Sequence, residues 1–570
     1  MNALSGLIAV GVVTVATILI GAYGLRVSRT TSDYYVASRT VGPWWNASAI
    51  SGEYLSAASF LGVAGLILSF GVDMLWFPVG YTAGYLIMLA LVAAPLRRSG
   101  AYTLPDFAEN RLESVAVRRV ASLLVVGIGW LYLLPQLQGA GLTLNTLTNA
   151  PVWVGGVVVA VVVTLNLASG GMRSITFVQA FHYWLKLTAI AVPAILLIMV
   201  WQRDGAPLLD ADRPATFSEQ TTVTIRTPVR VQNAEPVRVT VHGRLDGITH
   251  EGAEVELTVG AHELGQDTRV VFPAGAAVPH LDSARVLTGD QWASPLSGGR
   301  EEYPLYVTYS LIVATFLGTM GLPHVLVRFY TNPTGRAARR TTLVVLGLLG
   351  VFYLFPLVFG TLGRLYAPEL LMTGATDALV LVLPKRLIPG FAGELLGALV
   401  AGGAFAAFLS TSSGLAMSVA GVLSQDVFRK RGLRGFRLSA VLATVVPVGL
   451  ALIGTDLPIA SSVGLAFAVA ASSFCPLLVL GIWWRGLTSA GAVAGLVTGG
   501  GLTLLAVLVT ISGELRAGWF TTLLSWPAAW SVPLAFAVMI VVSLLTKDRV
   551  PRSVNATMAR LHAPEGTTGR

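Results

Sequence analysis

The chain has 570 residues, 54% of them hydrophobic and only 12% charged, with a mean hydropathy of +0.71, whereas a soluble domain carries about a quarter charged residues. That balance excludes a soluble, fibrous or disordered chain, and the lone cysteine, Cys475, excludes a disulfide or a cysteine metal cage within one chain. The net charge of +9 does not point to nucleic acid, because the cations gather at the ends of apolar runs, as a membrane topology requires.

In chain order, apolar runs of about 18 residues or more predict an all-α polytopic membrane protein of about thirteen spans. The runs are Leu4 to Leu25, Asn46 to Phe70, Met74 to Leu96, Val120 to Leu147, Val152 to Ala168 and Phe177 to Trp201, then Tyr306 to Val327, Thr341 to Gly363, Leu395 to Leu423, Leu438 to Ile453, Ile459 to Ile482, Ser489 to Ile511 and Trp526 to Leu545. No cation precedes the first run, and Arg26 and Arg29 follow it, the reverse of a signal peptide, so it reads as a retained helix with its N-terminus outside. Alternating from there, the cytoplasmic loops collect Arg97, Arg98, Arg118, Arg119, Arg328, Arg336, Arg339, Arg340, Arg429, Lys430, Arg431, Arg434 and Arg437, and the C-terminus falls inside. Residues 1–202 thus carry six spans, 303–546 seven more, and 547–570 form a cytoplasmic tail.

Between 203 and 302 the apolar runs stop. Segments such as Thr221 to Arg226, Val237 to Val241 and Val255 to Val259 alternate apolar with polar residues between Pro, Gly and Asp, which predicts a small β-rich extracellular insert. Its histidines, His242, His250, His262 and His280, lack metal-ligand spacing. No lysine follows a glycine anywhere, so a phosphate-binding loop, and with it ATP-driven transport by this chain, is excluded. Gly170-Gly171 and Gly499-Gly500-Gly501 lack the strand-turn-helix setting of a nucleotide fold and read as packing glycines.

Charges inside apolar spans are costly and usually functional. Glu53 and Lys186 are two such charges. Glu53 belongs to Ile50-Ser-Gly-Glu-Tyr-Leu-Ser-Ala-Ala-Ser-Phe-Leu-Gly62, a stretch rich enough in small residues to predict a break, which frees carbonyls for a cation and aims a half-helix N-terminus at an anion. A second break is predicted in Thr315-Phe-Leu-Gly-Thr-Met-Gly-Leu-Pro-His324. Paired breaks point to an inverted repeat, five spans from Asn46 through Trp201 matched by five from Tyr306 through Ile482, with one helix before and two after. A third polar cluster, Ala406-Ala-Phe-Leu-Ser-Thr-Ser-Ser-Gly414, offers hydroxyls at Ser410 and Thr411 and the Ala407 carbonyl, hard neutral oxygens suited to an alkali cation. Lys186 is read as snorkelling or paired with Glu53, Arg328 and His324 as structural or gating groups near the cytoplasmic face, and Asp426 as an anchor at the cytoplasmic end of its helix.

With these residues in view, the chain resembles the sodium:solute symporter family, in particular its cation/acetate symporter, or monocarboxylate, branch. The likeness is carried by Ser32-Asp-Tyr-Tyr35 with Gly42-Pro43, Gly52-Glu-Tyr-Leu-Ser-Ala-Ala-Ser-Phe-Leu-Gly62, Tyr102-Thr-Leu-Pro-Asp106, Gln136 with Gly139-Ala-Gly141, Gly170-Gly-Met172, Gly318-Thr-Met-Gly-Leu-Pro-His324 with Arg328-Phe329, Ser410-Thr411, Asp426 and Gly464-Leu-Ala-Phe-Ala468. It implies a leucine-transporter-type five-plus-five fold and a sodium site made by the carbonyls of Gly52, Leu55 and Ala407 and the hydroxyls of Ser410 and Thr411. Tyr54 and Val178 stand where some members carry the acid or amide of a second sodium site, which implies one cation per turnover, and Glu53 stands where the acetate branch has Asp. The resemblance does not extend to the insert.

The leading expectation is sodium-coupled uptake of acetate or a related short-chain monocarboxylate by alternating access. The carboxylate is expected at Ser56, Ala57 and Ser59, with Gln136 and Thr319 as further donors. No catalytic residue or cofactor is expected. The partners are the carboxylate, the co-transported cation and the lipid bilayer, without nucleic acid, in a bacterial plasma membrane. Two other readings compete: proton coupling through Glu53 within the same fold, and a receptor that uses the insert, against which no output domain follows Leu545.

Overall fold

The structure is a computed structural model and describes all but residues 1–2, 28–36, 226–227, 282–286, 297–302, 429–432, 453–457, 513–517 and 564–570. The Ser32 to Tyr35 motif, Arg29 and the cations Arg429, Lys430 and Arg431 lie outside the described residues. Among those described, ten helices are long and apolar enough to cross a membrane, and the chain is a helical, multi-pass membrane protein. By that measure, the runs expected at 46–70 and 74–96 yield one stretch, Ala58–Arg98, and the helices Val152–Ala168 and Gly435–Ala451 are apolar but shorter.

After α1 (Ala3–Val27), α2 (Pro43–Tyr54) and α3 (Val63–Phe70) form one helix interrupted at Leu55 and Ser56. Then come α4 (Trp76–Ile87), the short α5 (Leu104–Leu112), α6 (Val115–Thr148) and α7 (Val152–Arg203). Two helices join within α7 at Gly171, whose φ of 59° and ψ of −154° only glycine adopts cheaply. Beyond the insert and its short helix α8 (Gly289–Ala293), the order begins again with a broken helix, α9 (Pro304–Gly321) and α10 (Pro323–Phe329). It continues through α11 (Gly335–Tyr366), α12 (Gly390–Val422), α13 (Leu433–Ala451), α14 (Ile459–Trp483), Leu502–Ile511 and Ala528–Leu545 to a last described helix, Val554–His562.

The two breaks have different causes. Pro323 has no N–H to continue α9, and its ring drives Leu322 into extended backbone (φ −71°, ψ 115°). The first break contains no proline. There Leu55 leaves the helix at ψ 88°, and side chains from α7 and α12 take the carbonyls it frees. Helix α12 packs on α7, α6 and α1, and α14 packs on α9 and α6, so both breaks sit in the middle of the bundle. Gly318 and Gly321 let α9 touch α14: a Cβ would come within 2.5 Å of the Phe467 carbonyl oxygen at the first and 2.3 Å of the Ala470 carbonyl oxygen at the second.

The insert is one antiparallel sheet of seven strands in the order β1-β6-β3-β5-β2-β7, with β4 also on β3. The strands are β1 (Thr221–Thr224), β2 (Val229–Asn233), β3 (Val237–Leu245), β4 (Ile248–Leu257), β5 (Gly260–Leu264), β6 (Arg269–Phe272) and β7 (His280–Leu281). Leu245 pairs with Ile248 across the two-residue turn Asp246-Gly247, where φ is 49° and 82°, the positive values that match strand twist in tight hairpins. Helix α8, which follows the sheet, is tied to the membrane helices by Trp292, whose indole nitrogen donates to the carbonyls of Ile67 (2.8 Å) and Leu68 (3.1 Å) near the end of α3.

Candidate functional site

A helix break leaves carbonyls without intrahelical partners, and in a membrane core each needs another donor. Ser410 of α12 sets its Oγ 2.6 Å from the Gly52 carbonyl oxygen and 3.2 Å from that of Ala407. Thr411 donates to the Glu53 carbonyl at 2.5 Å. Lys186, in the second half of α7, reaches into the break, where its ammonium donates to the carbonyls of Gly52 and of Leu55 (2.6 Å) and to Ser410 Oγ (3.0 Å). All these side chains are buried. The structure therefore brings Gly52, Leu55, Ala407, Ser410 and Thr411 together and sets an ammonium on the oxygens of Gly52, Leu55 and Ser410. Lys186 does not snorkel and makes no hydrogen bond to Glu53.

The Glu53 carboxylate turns instead to Arg328 of α10, whose Nε donates to Glu53 Oε2 at 2.6 Å. The same guanidinium donates to Thr176 Oγ1 at 2.8 Å and to Gln179 Oε1, and Gln179 in turn donates to the Ser410 carbonyl at 2.8 Å. One polar thread thus links the second half of one broken helix to the first half of the other, and on to α12. Two glycines admit it. A Cβ on Gly414 would meet Glu53 Oε1 at 1.9 Å, and one on Gly52 would meet the Gln179 carbonyl oxygen at 2.0 Å. Arg328 is therefore a buried group holding both breaks together.

The candidate solute residues form a second layer. The Ala57 amide donates to Gln136 Oε1 at 2.9 Å, Ser59 Oγ lies 2.8 Å from the Tyr353 hydroxyl, and Thr319 Oγ1 lies 2.6 Å from that of Tyr54. Ser56 is buried beside them. Around them the rings of Tyr54, Tyr81, Tyr85, Tyr132 and Phe467 meet at 4.8 to 6.1 Å. The Tyr81 and Tyr85 hydroxyls and both His324 ring nitrogens are buried without hydrogen-bond partners.

At the opposite end from the insert, Asp426 joins Arg118 (2.6 Å) and Ser122, and Arg118 also meets Asp106 (2.8 Å) and Glu109 (2.5 Å). Thr103 and Asp106 cap α5 reciprocally, which gives the Thr-Leu-Pro-Asp motif a physical meaning.

A multi-pass helical bundle with two broken helices around a buried polar centre is built as a secondary transporter. Its sequence matches the sodium:solute symporter family over residues 34–227 and 285–499, more than half of the chain, and it belongs to that family. Most of the sheet falls in the gap between the two matched stretches. The family is one of symporters, which need no enzymatic cofactor, and sodium as the co-transported ion fits it. An uncharacterized symporter of Bacillus subtilis (strain 168) is 28% identical over 551 residues, covering 94% of this chain and 93% of that protein. A monocarboxylic acid transporter of Corynebacterium glutamicum is 29% identical over 540 residues, covering 90% and 86%. A substrate-bound, outward-open Na+-coupled sialic acid symporter shares the fold, with a TM-score of 0.62 at 14% identity over 95% of this chain and 98% of that one.

Sequence reasoning did not single out Thr176 or Gln179 and left Arg328 at the cytoplasmic face. Charge balance alone would have paired Glu53 with Lys186, so no signal in the sequence marked Arg328 as the partner of Glu53.

Proposed function

We propose that this protein is a symporter that uses an inward Na+ gradient to accumulate acetate or a related short-chain monocarboxylate across a bacterial plasma membrane. The observation that carries the reading is the meeting of the Gly52 and Leu55 carbonyls with the Ser410 hydroxyl, drawn from both repeats around one cationic nitrogen, with the Ala407 carbonyl on Ser410 and the Thr411 hydroxyl on the Glu53 carbonyl beside them. A cation held there ties α2 to α12 and favours one closed arrangement of the break, and a solute that favours the same arrangement is coupled to it reciprocally. The solute carboxylate would replace Gln136 on the Ala57 amide, with Ser56, Ser59 and Thr319 as neighbouring donors. Neutral donors suit a small monocarboxylate, and the named activity of the Corynebacterium relative supports the same solute class. In this reading the N-terminus and the insert lie outside and the C-terminal tail lies inside. The Glu53–Arg328 pair weighs against Glu53 as a free proton carrier.

The test is accumulation of radiolabelled acetate in proteoliposomes under an imposed sodium gradient or an imposed pH gradient. Sodium-driven accumulation lost in Ser410→Ala/Thr411→Ala is expected. Accumulation driven only by the pH gradient and indifferent to those hydroxyls overturns the sodium reading, and no accumulation under either gradient overturns the solute.

A further inference from the structure

We propose that Lys186 is a built-in competitor for the transported cation: its ammonium and Na+ take turns on the oxygens of Gly52, Leu55 and Ser410. This rests on the reading of those oxygens as a cation site but goes beyond it, because it assigns the ion a rival within the chain.

An ammonium has three donors and no acceptor, and here three neutral oxygens accept from it: the Gly52 carbonyl, the Leu55 carbonyl at 2.6 Å and the Ser410 hydroxyl at 3.0 Å. No carboxylate touches it. The nearby acid, Glu53, is held by Arg328 at 2.6 Å. The charge on Nζ is thus met by the same carbonyl and hydroxyl dipoles that a dehydrated alkali cation uses at a broken helix. Lys186 and Arg328 set two positive groups against the single carboxylate of Glu53, so the cluster has no spare anion with which to hold a second cation. Two unit charges on one set of oxygens in a dry interior repel strongly. Na+ can take these oxygens only when the ammonium has left them, and the ammonium closes the break onto α12 whenever Na+ is gone. The competition keeps the freed carbonyls satisfied in both conditions, which a membrane core demands.

The test is binding of radioactive sodium to the purified full-length chain in lipid nanodiscs, with no solute present, together with its thermal unfolding in sodium or choline chloride at equal ionic strength. Lys186→Met, which keeps the stem and removes the charge, should bind Na+ at least about ten-fold more tightly than the wild type, a gain of about 1.4 kcal/mol, and should show the larger sodium-dependent rise in Tm. Adding Ser410→Ala should remove that gain, and Lys186→Arg should bind no better than wild type. If the methionine variant does not fold, Lys186→Gln, whose amide still donates to the carbonyls without a charge, takes its place. A wild type blind to Na+ beside a responsive Lys186→Met overturns the turn-taking, because the ammonium would then hold the oxygens permanently and the sodium reading would fall with it. Equal Na+ affinity in wild type and the uncharged variants overturns it, as does a gain that survives Ser410→Ala. Because no solute enters the assay, the wrong choice of monocarboxylate leaves the result unchanged.

Discussion

The centre of the bundle and the β insert both satisfy polar groups away from regular helix, but over different reaches. At the centre, Gly52 finds its partners 134 and 358 residues away, in Lys186 and Ser410, and Glu53 finds Arg328 at a separation of 275. In the insert, the Asp246 turn is closed by His262 and Glu263, 16 and 17 residues on. The central groups are fully buried, whereas the Asp246 side chain is 45% exposed. Burial makes each central partner indispensable, because water cannot replace it. The exposed pair has water as an alternative and adds little.

The largest effect is therefore expected at Arg328. Arg328→Met strands the Glu53 carboxylate, and removing one partner of a buried ion pair costs about 3–5 kcal/mol. The folded yield and Tm of the purified chain should fall steeply, and Glu53→Gln added to Arg328→Met should recover part of the loss. A single Arg328→Met variant as stable as wild type would erase the contrast between the two regions.

That contrast also explains what could be read from the sequence. The breaks were legible because their causes are local: Pro323 follows Leu322 directly, and Gly52 to Gly62 is visibly a run of small residues. The Ser410-Thr411 oxygens were legible through a family pattern. The destinations of Lys186 and Arg328 were not, since each depends on a partner in another helix at a depth that periodicity does not record. Arg328 lies six residues beyond Leu322 at the break, which in sequence looks like the end of a span, yet it is 1% exposed. In the insert, the alternation in β3 marked a strand, but the sheet order, with β6 and β5 flanking β3, is a long-range fact that no local pattern carries.

Between the two regions, Trp292 offers an intermediate test. Its indole N–H serves the last carbonyls of α3, and the Arg364 guanidinium lies 5.4 Å over its ring. Gly71 accommodates it: its φ is 75°, and a Cβ there would sit 1.9 Å from the Trp292 carbonyl oxygen. Trp292→Phe keeps a ring over Arg364 but removes the donor, for an expected loss of about 1 kcal/mol. Amide exchange should quicken at the end of α3 and in α8 and stay unchanged at the Arg328 end of α10. Faster exchange at α10 as well would mean that the insert and the centre open as one unit.

The smallest effect is expected at His262. Its Nδ1 lies 2.7 Å from Asp246 Oδ2 and its Nε2 2.9 Å from the Thr258 carbonyl oxygen, two acceptors that the doubly protonated ring satisfies best. Partial burial lowers the pKa of His262, but the Asp246 hydrogen bond, the Thr258 carbonyl and the Asp246 charge outweigh it and raise the pKa above 6.5. For Asp246, partial burial raises the pKa, and the His262 and Glu263 hydrogen bonds with the His262 charge bring it below 3.8. The raised group stabilises fully below about 6.5 and loses its contribution as pH climbs through its folded value; the lowered group stabilises above 3.8 and loses its contribution on acidification. The turn is accordingly firmest in mildly acidic solution. After correction for intrinsic rates, amide exchange at Glu263 should be slower at about pH 5.5 than at about pH 8, and His262→Asn should flatten the difference. A pH dependence that persists in His262→Asn would assign the titration to another group, and the reach of the insert's polar contacts would then be longer than the Asp246 turn indicates.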